Sequence, residues 1–461
     1  MSSINTPTAA RTSLPTGEDI VQSLPWRWRA QGRIFLIGGL GFMFDAWDVS
    51  LNGVLIPLLR EEWALTAGQA AWIGTANLIG MAVGAFFWGT VADRIGRRSA
   101  FAITLLVFSI FTLAGVFTGD IVWFAIFRFL AGFGLGGCIP VDYALVGEFT
   151  PRKQRGTVLT AMDGWWPIGA ALCGFVSAWL VATWGDWRLP LLAMILPALL
   201  VFFVRLWVPE SPLFLLRQGR DAEARKVIDQ LVRQTGAEPR EYVLPPVPEA
   251  PRMTVLALAD QLIRLWRYSW RTTLAIWCLF LTIMFVYYLG LQWLPTFMID
   301  AGFERTQAFL TTGGMAAIGL FGVILAAWLV EKTGRRWLLG VSAVVSSALI
   351  TALAAFLHVP SAVLPLVLVY GFVVQVAIPV LYAYASELYP TELRGSGFGW
   401  ASAVSRISAG VGPLLFVTWM VPALGLTTSF AVAGGLVLVA VVLMFCFAPE
   451  TAGKKLTLTG E

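Results

Sequence analysis

The sequence "GTVADRIGRR", residues 89–98, is matched 238 residues later by "AWLVEKTGRR", residues 327–336. Two more pairs of segments are separated by 239 and 240 residues: "EFTPRKQRG" (148–156) with "ELYPTELRG" (387–395), and "PESP" (209–212) with "PET" (449–451). Three pairs with nearly one offset indicate that the chain is a duplication of a unit of roughly 240 residues.

Long apolar segments fill most of each copy. The 461 residues are 58% hydrophobic and 13% charged, whereas soluble proteins carry about 25% charged residues. A spanning helix needs about 20 apolar residues, and the segments are continuously apolar rather than alternating, so helices are predicted and a β-barrel is not. Twelve segments are predicted to span a membrane: 33–57, 70–92, 99–118, 121–146, 157–183, 188–208, 272–298, 307–331, 337–357, 361–385, 396–421 and 427–448.

The duplication and the twelve segments together predict an all-α membrane protein made of two six-helix halves. Because six is an even number, both halves enter the membrane from the same side, which makes a parallel repeat with a cavity between the halves. The predicted divisions are an N-terminal tail 1–32, an N-terminal six-helix domain 33–208, a linker 209–271, a C-terminal six-helix domain 272–448 and a C-terminal tail 449–461.

Lysine and arginine are concentrated on one side of the predicted spans. Such loops face the cytoplasm in membrane proteins, so both tails and the linker are expected there, with the protein in the cytoplasmic (inner) membrane. The opposite loops contain little beyond Arg60, Arg188 and Arg305. The basic side contains Arg94, Arg97, Arg98, Arg152, Lys153, Arg155, Lys332, Arg335 and Arg336, together with Arg27, Arg29 and Arg33 of the tail.

The linker and the N-terminal tail have distinct compositions. The segment "GRDAEARKVIDQLVRQ", residues 219–234, predicts an amphipathic surface helix. The proline-rich "LPPVPEAP", residues 244–251, cannot be helical. Residues 1–25 are polar and lack the apolar core of a cleavable signal peptide, which predicts a cytoplasmic tail.

Other function classes find little support in the sequence. The net charge of +5 is explained by orientation in the membrane, so no nucleic-acid partner is expected. The four cysteines lie inside apolar segments, which predicts packing roles and no disulfide. The single histidine, His358, lies in a predicted outer loop. The sequence shows no metal-ligand cluster, nucleophile motif or phosphate-binding loop. We therefore expect no enzyme, no metal and no cofactor, and we expect a monomer.

The segment "GFMFDAWDVSLNGVLIPLL", residues 41–59, places Asp45 and Asp48 inside the first predicted span. Three residues apart, they lie on one helical face. Two nearby carboxylates in a low-dielectric medium cannot both ionise without a large cost, so one is expected to hold a proton. A charged residue at a helix centre costs about 2.5–3.5 kcal/mol on insertion scales, which favours a role in proton transfer over one of only bracing helices.

The repeated loop resembles a motif of the major facilitator superfamily, and the resemblance covers nearly the whole chain. The resemblance implies a twelve-helix transporter that works by alternating access. In span four, "RFLAGFGLGG", residues 128–137, is similar to the family's R-x-x-x-G-x-G pattern. The first copy of the loop has the family's Gly89, Asp93, Arg94, Gly96, Arg97 and Arg98, and the second keeps Gly334, Arg335 and Arg336 with Ala327, Glu331 and Lys332 at the other positions.

Within this family, "FDAWDVSLNGVL", residues 44–55, resembles the metabolite:proton symporter branch. That branch includes bacterial niacin permeases and is related to synaptic vesicle glycoprotein 2 and the animal organic ion transporters. "PESPLFLL", residues 209–216, resembles the P-E-S-P-R-W-L motif, although Leu213 replaces its arginine. Span seven, "FVYYLGLQWLPTF" at 285–297, lacks the glutamine pair usual in sugar porters, so organic acids rank above sugars.

Helix depth places Asp48 near Arg128 of span four. At 1.5 Å per residue, Arg128 lies roughly 10 Å below the outer face and Asp48 roughly 22 Å from the inner face of a core about 30 Å thick. In proton-coupled relatives an acid of span one and an arginine of span four interact. The resemblance therefore assigns the pair to proton coupling, with Asp45 as a second proton acceptor. A static salt bridge is the alternative.

Arg406 stands alone in the eleventh predicted span, and a buried guanidinium needs a partner. A substrate carboxylate is one candidate, because a guanidinium binds it through two charge-assisted hydrogen bonds. The organic ion transporters, which the chain resembles, have a basic residue in the corresponding span. Glu387, Asp163 or a backbone carbonyl are the alternative partners.

Aromatic residues and two glutamines complete the predicted substrate site. Aromatic faces suit a flat ring through offset stacking, and the glutamines can donate hydrogen bonds. Packing and a lipid-facing belt are the alternatives for any one ring. The residues predicted to bind substrate, besides Arg406, are Trp47, Trp165, Tyr287, Tyr288, Gln292, Trp293, Gln375 and Tyr382.

The resemblance implies that the loop motifs act as gates. Asp93 is expected to face the N-terminus of span eleven, where anions are favoured. Arg97 and Arg98 are expected to pair with Glu148 or Glu210 when the cytoplasmic end is shut. Exposed pairs contribute roughly 0–1 kcal/mol each, which suits a gate that must open; a topology signal alone is the alternative. The predicted gating residues are Asp93, Arg94, Arg97, Arg98, Glu148, Arg155, Glu210, Glu331, Arg335, Arg336, Glu387, Arg394 and Glu450.

The sequence thus predicts a secondary active transporter in the lipid bilayer, with protons and a small-molecule substrate as its partners. The expected substrate is a small aromatic organic acid, with nicotinate first because the first-span segment resembles niacin permeases. Benzoate-type acids with proton coupling, or an organic cation or sugar without it, are the alternatives. A channel and a non-transporting receptor are less favoured, since the twofold repeat and the gate motifs indicate alternating access.

Overall fold

The structure, a computed structural model, describes residues 14–244 and 255–451. In these residues the chain is helical apart from an isolated bridge between Thr16 and Val243. Ten of the described helices are long and apolar enough to cross a membrane, and shorter helices make two further crossings. The twelve-helix membrane fold predicted from the sequence is confirmed. Most of the predicted proline-rich stretch lies outside the described residues.

The crossings are numbered spans 1 to 12 in chain order. Spans 1–6 are Arg33–Glu62, Ala67–Ile95, Arg97–Ala114, the pair Ile121–Leu135 and Cys138–Phe149, the pair Arg155–Asp163 and Trp165–Trp184, and the pair Arg188–Leu192 and Ile195–Trp207. Spans 7–12 are the membrane part of Val255–Asp300, then Arg305–Thr333, Arg335–Ala355, Pro360–Glu387, Thr391–Leu415 with its continuation to Leu424, and Leu426–Phe447. The predicted limits therefore hold to within a few residues, apart from the start of span 7 and the interruptions.

Span 4 is interrupted at Gly136 and Gly137, where the sequence predicts one continuous helix. Gly132 and Gly136 lie against the backbone of span 2, where a Cβ would collide with the carbonyl oxygen of Asn77 or Met81, and Gly134 lies against the backbone of span 3. Small residues allow such close helix approach in membranes. Close packing is therefore the role of this glycine-rich segment, as the sequence predicts.

The duplication is visible where spans 3 and 9 begin. Gly96 and Gly334 have φ of +96° and +85°, a conformation that only glycine adopts readily. Glu210 accepts from the backbone N–H of Arg98 at 3.2 Å, and Glu450 accepts from that of Arg336 at 3.0 Å. Each carboxylate thereby satisfies N–H groups at a helix N-terminus, where negative charge is favoured.

The linker packs on the N-terminal half. Its predicted surface helix is present as Asp221–Thr235, and the short helix Gly17–Ser23 packs against it. The helix of span 7 begins at Val255, earlier than predicted, but it bends at Ser269, whose side chain accepts from the Thr272 N–H at 3.3 Å. The bend lies three residues before the predicted start of the span.

The two halves meet along spans 1 and 7, 2 and 11, and 5 and 8. We call the end with the loops between spans 1 and 2 and between spans 7 and 8 the far end, and the opposite end the tail end. At the far end Arg60 pairs with Asp300 at 2.8 Å, and Arg305 pairs with Glu61. Both ion pairs join one half to the other.

Candidate functional site

The first candidate site is an ion pair between Asp48 of span 1 and Arg128 of span 4. Arg128 Nη1 donates to Asp48 Oδ1 at 2.6 Å, and Nη2 donates to Oδ2 at 2.9 Å, so the contact is two-pronged. The arginine side chain is 1% exposed and the aspartate 0%. The contact predicted from helix depth is present, and its role in proton coupling stays a prediction.

Two buried asparagines add hydrogen bonds to this pair, although Arg128 Nε has no partner among the described residues. Arg128 Nη2 donates to Asn52 Oδ1 at 2.8 Å, and Asn77 Nδ2 donates to Asp48 Oδ2 at 3.1 Å. The two asparagines are joined by a bond of 3.2 Å, so spans 1, 2 and 4 share one network. Adding a proton to Asp48 would remove the negative charge at its centre, which gives the network a means to respond to protonation.

Asp45 lies one helical turn closer to the tail end and differs from Asp48. It is fully buried, and neither carboxylate oxygen has a hydrogen-bond partner among the described residues. It interacts electrostatically with Asp48 and Arg406. Burial without a hydrogen-bond donor penalises the charge of this carboxylate, and its role as a second proton acceptor stays a prediction.

Arg406 of span 11 is half-buried and donates from Nη1 to the Ser402 hydroxyl at 3.0 Å. In the part of the chain that the structure describes, no carboxylate forms an ion pair with it. The alternative partners weighed from sequence are engaged elsewhere, since Glu387 binds Arg335 and Asp163 accepts from the Tyr143 hydroxyl. The Arg406 charge is therefore available to an anion.

Two tyrosines of other spans lie near enough to Arg406 to interact with its charge. Tyr288 and Tyr382 are half-buried, and both interact electrostatically with Arg406. Tyr382 stacks on Phe280 with ring centroids 5.6 Å apart and planes at 6°. Tyr288 meets the edge of Trp166 at 6.4 Å. We call Arg406 together with Tyr288, Tyr382, Phe280 and Trp166 the central chamber.

Tyr287 and Gln375, two predicted substrate residues of the C-terminal half, are linked to the N-terminal half through Trp166. The Tyr287 hydroxyl accepts from Trp166 Nε1 at 2.8 Å and from Gln375 Nε2 at 3.1 Å. Trp166 belongs to span 5, whereas the other two belong to spans 7 and 10. The hydrogen-bonded triad therefore forms one wall between the halves.

The other predicted substrate residues make packing contacts. Gln292 is buried, and its carboxamide lies where a side chain on Gly74 of span 2 would collide with it. Three tryptophans contact phenylalanines of their own half: Trp47 and Phe44 at 6.3 Å, Trp165 and Phe35 at 6.2 Å, and Trp293 and Phe297 at 5.9 Å. These contacts match the packing alternative, and substrate binding by these four residues stays a prediction.

Comparison with known proteins identifies this arrangement. Residues 38–413 and, in an overlapping match, residues 306–461 match the family described as the Major Facilitator Superfamily. The chain belongs to the Major Facilitator Superfamily. It is therefore a multi-pass membrane transporter of small molecules and not an enzyme.

Members of the superfamily with similar sequences are transporters. The niacin transporter NiaP of Acinetobacter baylyi is 33% identical over 431 residues, covering 92% of this chain and 94% of NiaP. The benzoate transport protein of the same organism is 29% identical over 399 residues, covering 85% and 83%. The xylose transporter XylE from E. coli, in a partially occluded inward-open conformation, has a similar fold, with a TM-score of 0.75 at 21% identity and coverage of 92% and 99%.

The superfamily's loop motif forms ion pairs inside each half. Arg97 Nε lies 3.5 Å from Glu148 Oε1 in the first copy. In the second copy Arg335 makes two hydrogen bonds of 3.1 Å to Glu387 and bonds of 2.7 and 3.0 Å to Glu331. These contacts brace helix ends within one half, so their role as gates between the halves stays a prediction.

The remaining predicted gating residues have varied surroundings. Arg94 is exposed, and Arg155 donates weakly to the Thr150 carbonyl at 3.5 Å. Arg336 donates from Nη2 to the Phe445 carbonyl at 2.6 Å. The half-buried Arg394 has no partner for its Nε among the described residues. The Asp93 side chain lies outside the described residues.

Sequence reasoning missed Asp142 and the two network asparagines. Asp142 lies in the second helix of span 4 and is fully buried. The signal was present, because an acid inside an apolar segment is the criterion that identifies Asp45 and Asp48. Asn52 gives a weaker signal: it lies four residues after Asp48 and therefore on the same helical face.

Proposed function

We propose that this protein takes up a small aromatic organic acid by proton-coupled alternating access, with nicotinate as the first candidate substrate. The observation that carries the proposal is the half-buried Arg406, which in the described chain has only the Ser402 hydroxyl as a side-chain partner and faces Tyr288 and Tyr382. A carboxylate on a flat ring satisfies both features, because the guanidinium binds the carboxylate and the rings stack on the substrate.

Proton coupling is proposed to act through Asp48 and Arg128, with Asp45 as a second acceptor. A proton on Asp48 weakens the two-pronged contact between spans 1 and 4, which lies at the centre of a network that also includes span 2. Span 1 also packs against span 7 of the other half. A change at Asp48 can therefore alter the contact between the halves. The segments 33–208 and 272–448 are the proposed moving bodies, and the loop-motif residues are the proposed gates.

The structure fits the state that is shut at the far end. The ion pairs Arg60–Asp300 and Arg305–Glu61 tie the halves together there, whereas the loop-motif pairs at the tail end stay within one half. The basic loops at the tail end support a cytoplasmic position for that end in an inner membrane. In this proposal a proton and substrate enter from the far end and leave at the tail end.

The choice of acid rests on the relatives and on the chamber. NiaP, a niacin transporter, supports nicotinate, and the benzoate transport protein supports a benzoate-type acid as the second candidate. Both substrates have a ring and a carboxylate and differ in the ring nitrogen. The unbonded Asp45 is the observation that would favour an organic cation instead.

Uptake into proteoliposomes tests this proposal. Radiolabelled nicotinate and benzoate are offered at an acidic outside pH, with and without a protonophore, while the outside pH is recorded. Uptake should depend on the gradient, and the medium should become more alkaline as the acid enters. Nicotinamide, which has the ring without the carboxylate, should not compete. Uptake that is unchanged by the protonophore would show a facilitator without proton coupling. Uptake of a quaternary amine in place of both acids would reject the substrate class.

A further inference from the structure

Asp142 faces Asp45 across the contact between spans 1 and 4. A Cβ built on Gly41 would lie 2.9 Å from Asp142 Oδ2, so this carboxylate rests against the backbone of span 1 at a position that only glycine leaves open. Asp45 is four residues after Gly41 and lies on the same helical face, about 6 Å further along the axis. The two carboxylates therefore face one space, about one turn apart.

Both side chains are 0% exposed, and none of their four carboxylate oxygens has a hydrogen-bond partner among the described residues. The contrast with Asp48 is sharp, since both oxygens of that residue are bonded to Arg128. Two buried carboxylates without a donor from the described residues are expensive as charges, because burial removes the solvation that stabilises them. Aspartates that close together in a low-dielectric site do not both ionise.

We propose that Asp45 and Asp142 share one proton and form a second proton-binding site, separate from the Asp48–Arg128 ion pair. The proton occupies one of the two carboxyl groups while the other stays ionised. The site then contains one negative charge instead of two. The inference that this proton is transported rests on the proposed function; the shared proton itself is a property of the ligand-free protein.

The groups that face the pair come from every neighbouring helix. Span 1 contributes Asp48, which is already paired, and span 4 contributes Cys138 and Tyr143 beside Asp142. Span 3 contributes the Thr104 hydroxyl, which accepts from Cys138, and span 5 contributes Asp163, which is bonded to Tyr143. Span 2 contributes Asn77, which does not titrate, span 7 contributes the hydroxyl of Tyr288, and span 11 contributes Arg406. Apart from Arg128, which is bound to Asp48, Arg406 is the cation among these groups.

Arg406 therefore links the shared proton to the substrate. An empty chamber leaves the Arg406 charge free to attract the ionised pair, which favours release of the proton. A substrate carboxylate on Arg406 cancels that attraction, so the pair retains its proton more strongly. By linkage, a bound proton strengthens substrate binding to the same extent that substrate strengthens proton binding. The arrangement gives symport of a proton with an anion without direct contact between the two.

Infrared spectroscopy of the ligand-free protein in lipid tests the shared proton independently of any substrate. The carbonyl band of a protonated carboxyl group should be present at neutral pH. It should be lost in Asp142→Asn and equally in Asp45→Asn, because each substitution removes one of the two like charges and so allows the remaining carboxyl group to ionise. Asp142→Glu, which retains the carboxyl group and serves as a check on folding, should keep the band. A band that survives Asp142→Asn, or that each substitution removes only in part, would overturn the proposal.

Calorimetry in buffers of different ionisation enthalpy tests the link to transport. The measurement is made at the alkaline pH at which the ligand-free protein has lost about half of the carbonyl band, so that the pair is partly deprotonated. Binding of nicotinate or benzoate should then take up protons, and Asp142→Asn should abolish that uptake while the acid still binds. Equal proton uptake by the parent and by Asp142→Asn would overturn the link. Absence of binding by either acid would reject the proposed substrate class and leave the infrared result standing.

Discussion

Arg128 and Asp48 are joined by two hydrogen bonds, of 2.6 and 2.9 Å, in a site without solvent exposure. Removing one partner of a buried ion pair typically costs about 3–5 kcal/mol of stability, because the other charge is left uncompensated. Protonation of Asp48 likewise leaves the Arg128 charge without its counterion, so it favours a rearrangement that gives Arg128 another partner or access to solvent. This property distinguishes a proton switch from a surface salt bridge.

The first prediction concerns Asp48→Asn. The substitution imitates the protonated carboxyl group permanently, so proton-driven accumulation should be lost while exchange of substrate across the membrane continues. Accumulation and counterflow are measured in proteoliposomes with the same radiolabelled acid. Accumulation of substrate against its gradient by Asp48→Asn would show that the assignment is wrong.

The double variant Asp48→Asn with Arg128→Gln provides the matched control. It removes both charges, so its thermal unfolding temperature should exceed that of Asp48→Asn alone, whereas accumulation should stay absent. Recovery of accumulation in the double variant would mean that the single substitution acted only by destabilising the fold.

The sequence predicts the helix pattern well because burial in lipid forces long apolar segments, and it predicts the Asp48–Arg128 contact because depth along a helix is fixed by 1.5 Å per residue. It does not predict which side of a helix a neighbour covers. Asp142 can be identified from sequence as an acid inside an apolar segment, but its position against Gly41, one turn from Asp45, cannot. The bend at Ser269 and the break at Gly136 likewise depend on tertiary contacts.

The loop motifs show a second limit. A shared motif indicates that Arg97 and Glu148 belong together, and they do. Whether such a pair joins the halves or braces one half depends on the state of the transporter, which a single sequence does not encode. The substrate rings have the same difficulty, because Trp293 and Tyr382 both lie in predicted cavity-lining spans and only Tyr382 lies beside Arg406.

The second prediction concerns Arg406. Arg406→Ala should weaken binding of the acid about 10- to 100-fold, in line with about 1.5–3 kcal/mol for a hydrogen bond to a charged group. Arg406→Lys should recover part of the loss, since it keeps the charge without the planar fork. Binding is measured by calorimetry with nicotinate, benzoate and nicotinamide. Equal losses for the acid and its amide would show that Arg406 does not bind the carboxylate.

Ser402→Ala is the control for Arg406. It removes the hydroxyl that accepts from Nη1 at 3.0 Å and keeps the guanidinium. The loss of one neutral hydrogen-bond partner should change acid binding by about tenfold or less. A loss as large as that of Arg406→Ala would indicate that the hydroxyl, not the guanidinium, determines affinity.

The third prediction concerns the glycines that start spans 3 and 9. Gly96→Ala and Gly334→Ala each force a side chain into a conformation that costs about 1–3 kcal/mol and push it toward Glu210 or Glu450. Both should lower the thermal unfolding temperature in detergent. Gly435→Ala is the matched control, because a Cβ there meets nothing within 4 Å and the helix backbone is ordinary. A comparable loss in all three variants would reject the explanation from backbone strain.

The fourth prediction concerns the ion pairs that join the halves at the far end. Arg60 and Arg305 are partly exposed, so each pair should contribute about 0–1 kcal/mol to the closed state. Removing both by Arg60→Ala with Arg305→Ala should shift the population toward a state that opens at the far end, and high salt should reproduce part of the shift in the parent.

Spin labels at the exposed positions Glu62 and Glu304 measure that opening as a distance between the halves, after the exposed Cys446 is replaced by serine. Arg188→Ala serves as the control, because Arg188 lies at the same end and pairs at 3.6 Å with Asp186 of its own half. The double variant should broaden the distance distribution toward longer values, and the control should not. An unchanged distribution in the double variant would mean that apolar contacts between spans 1 and 7 alone keep the far end shut.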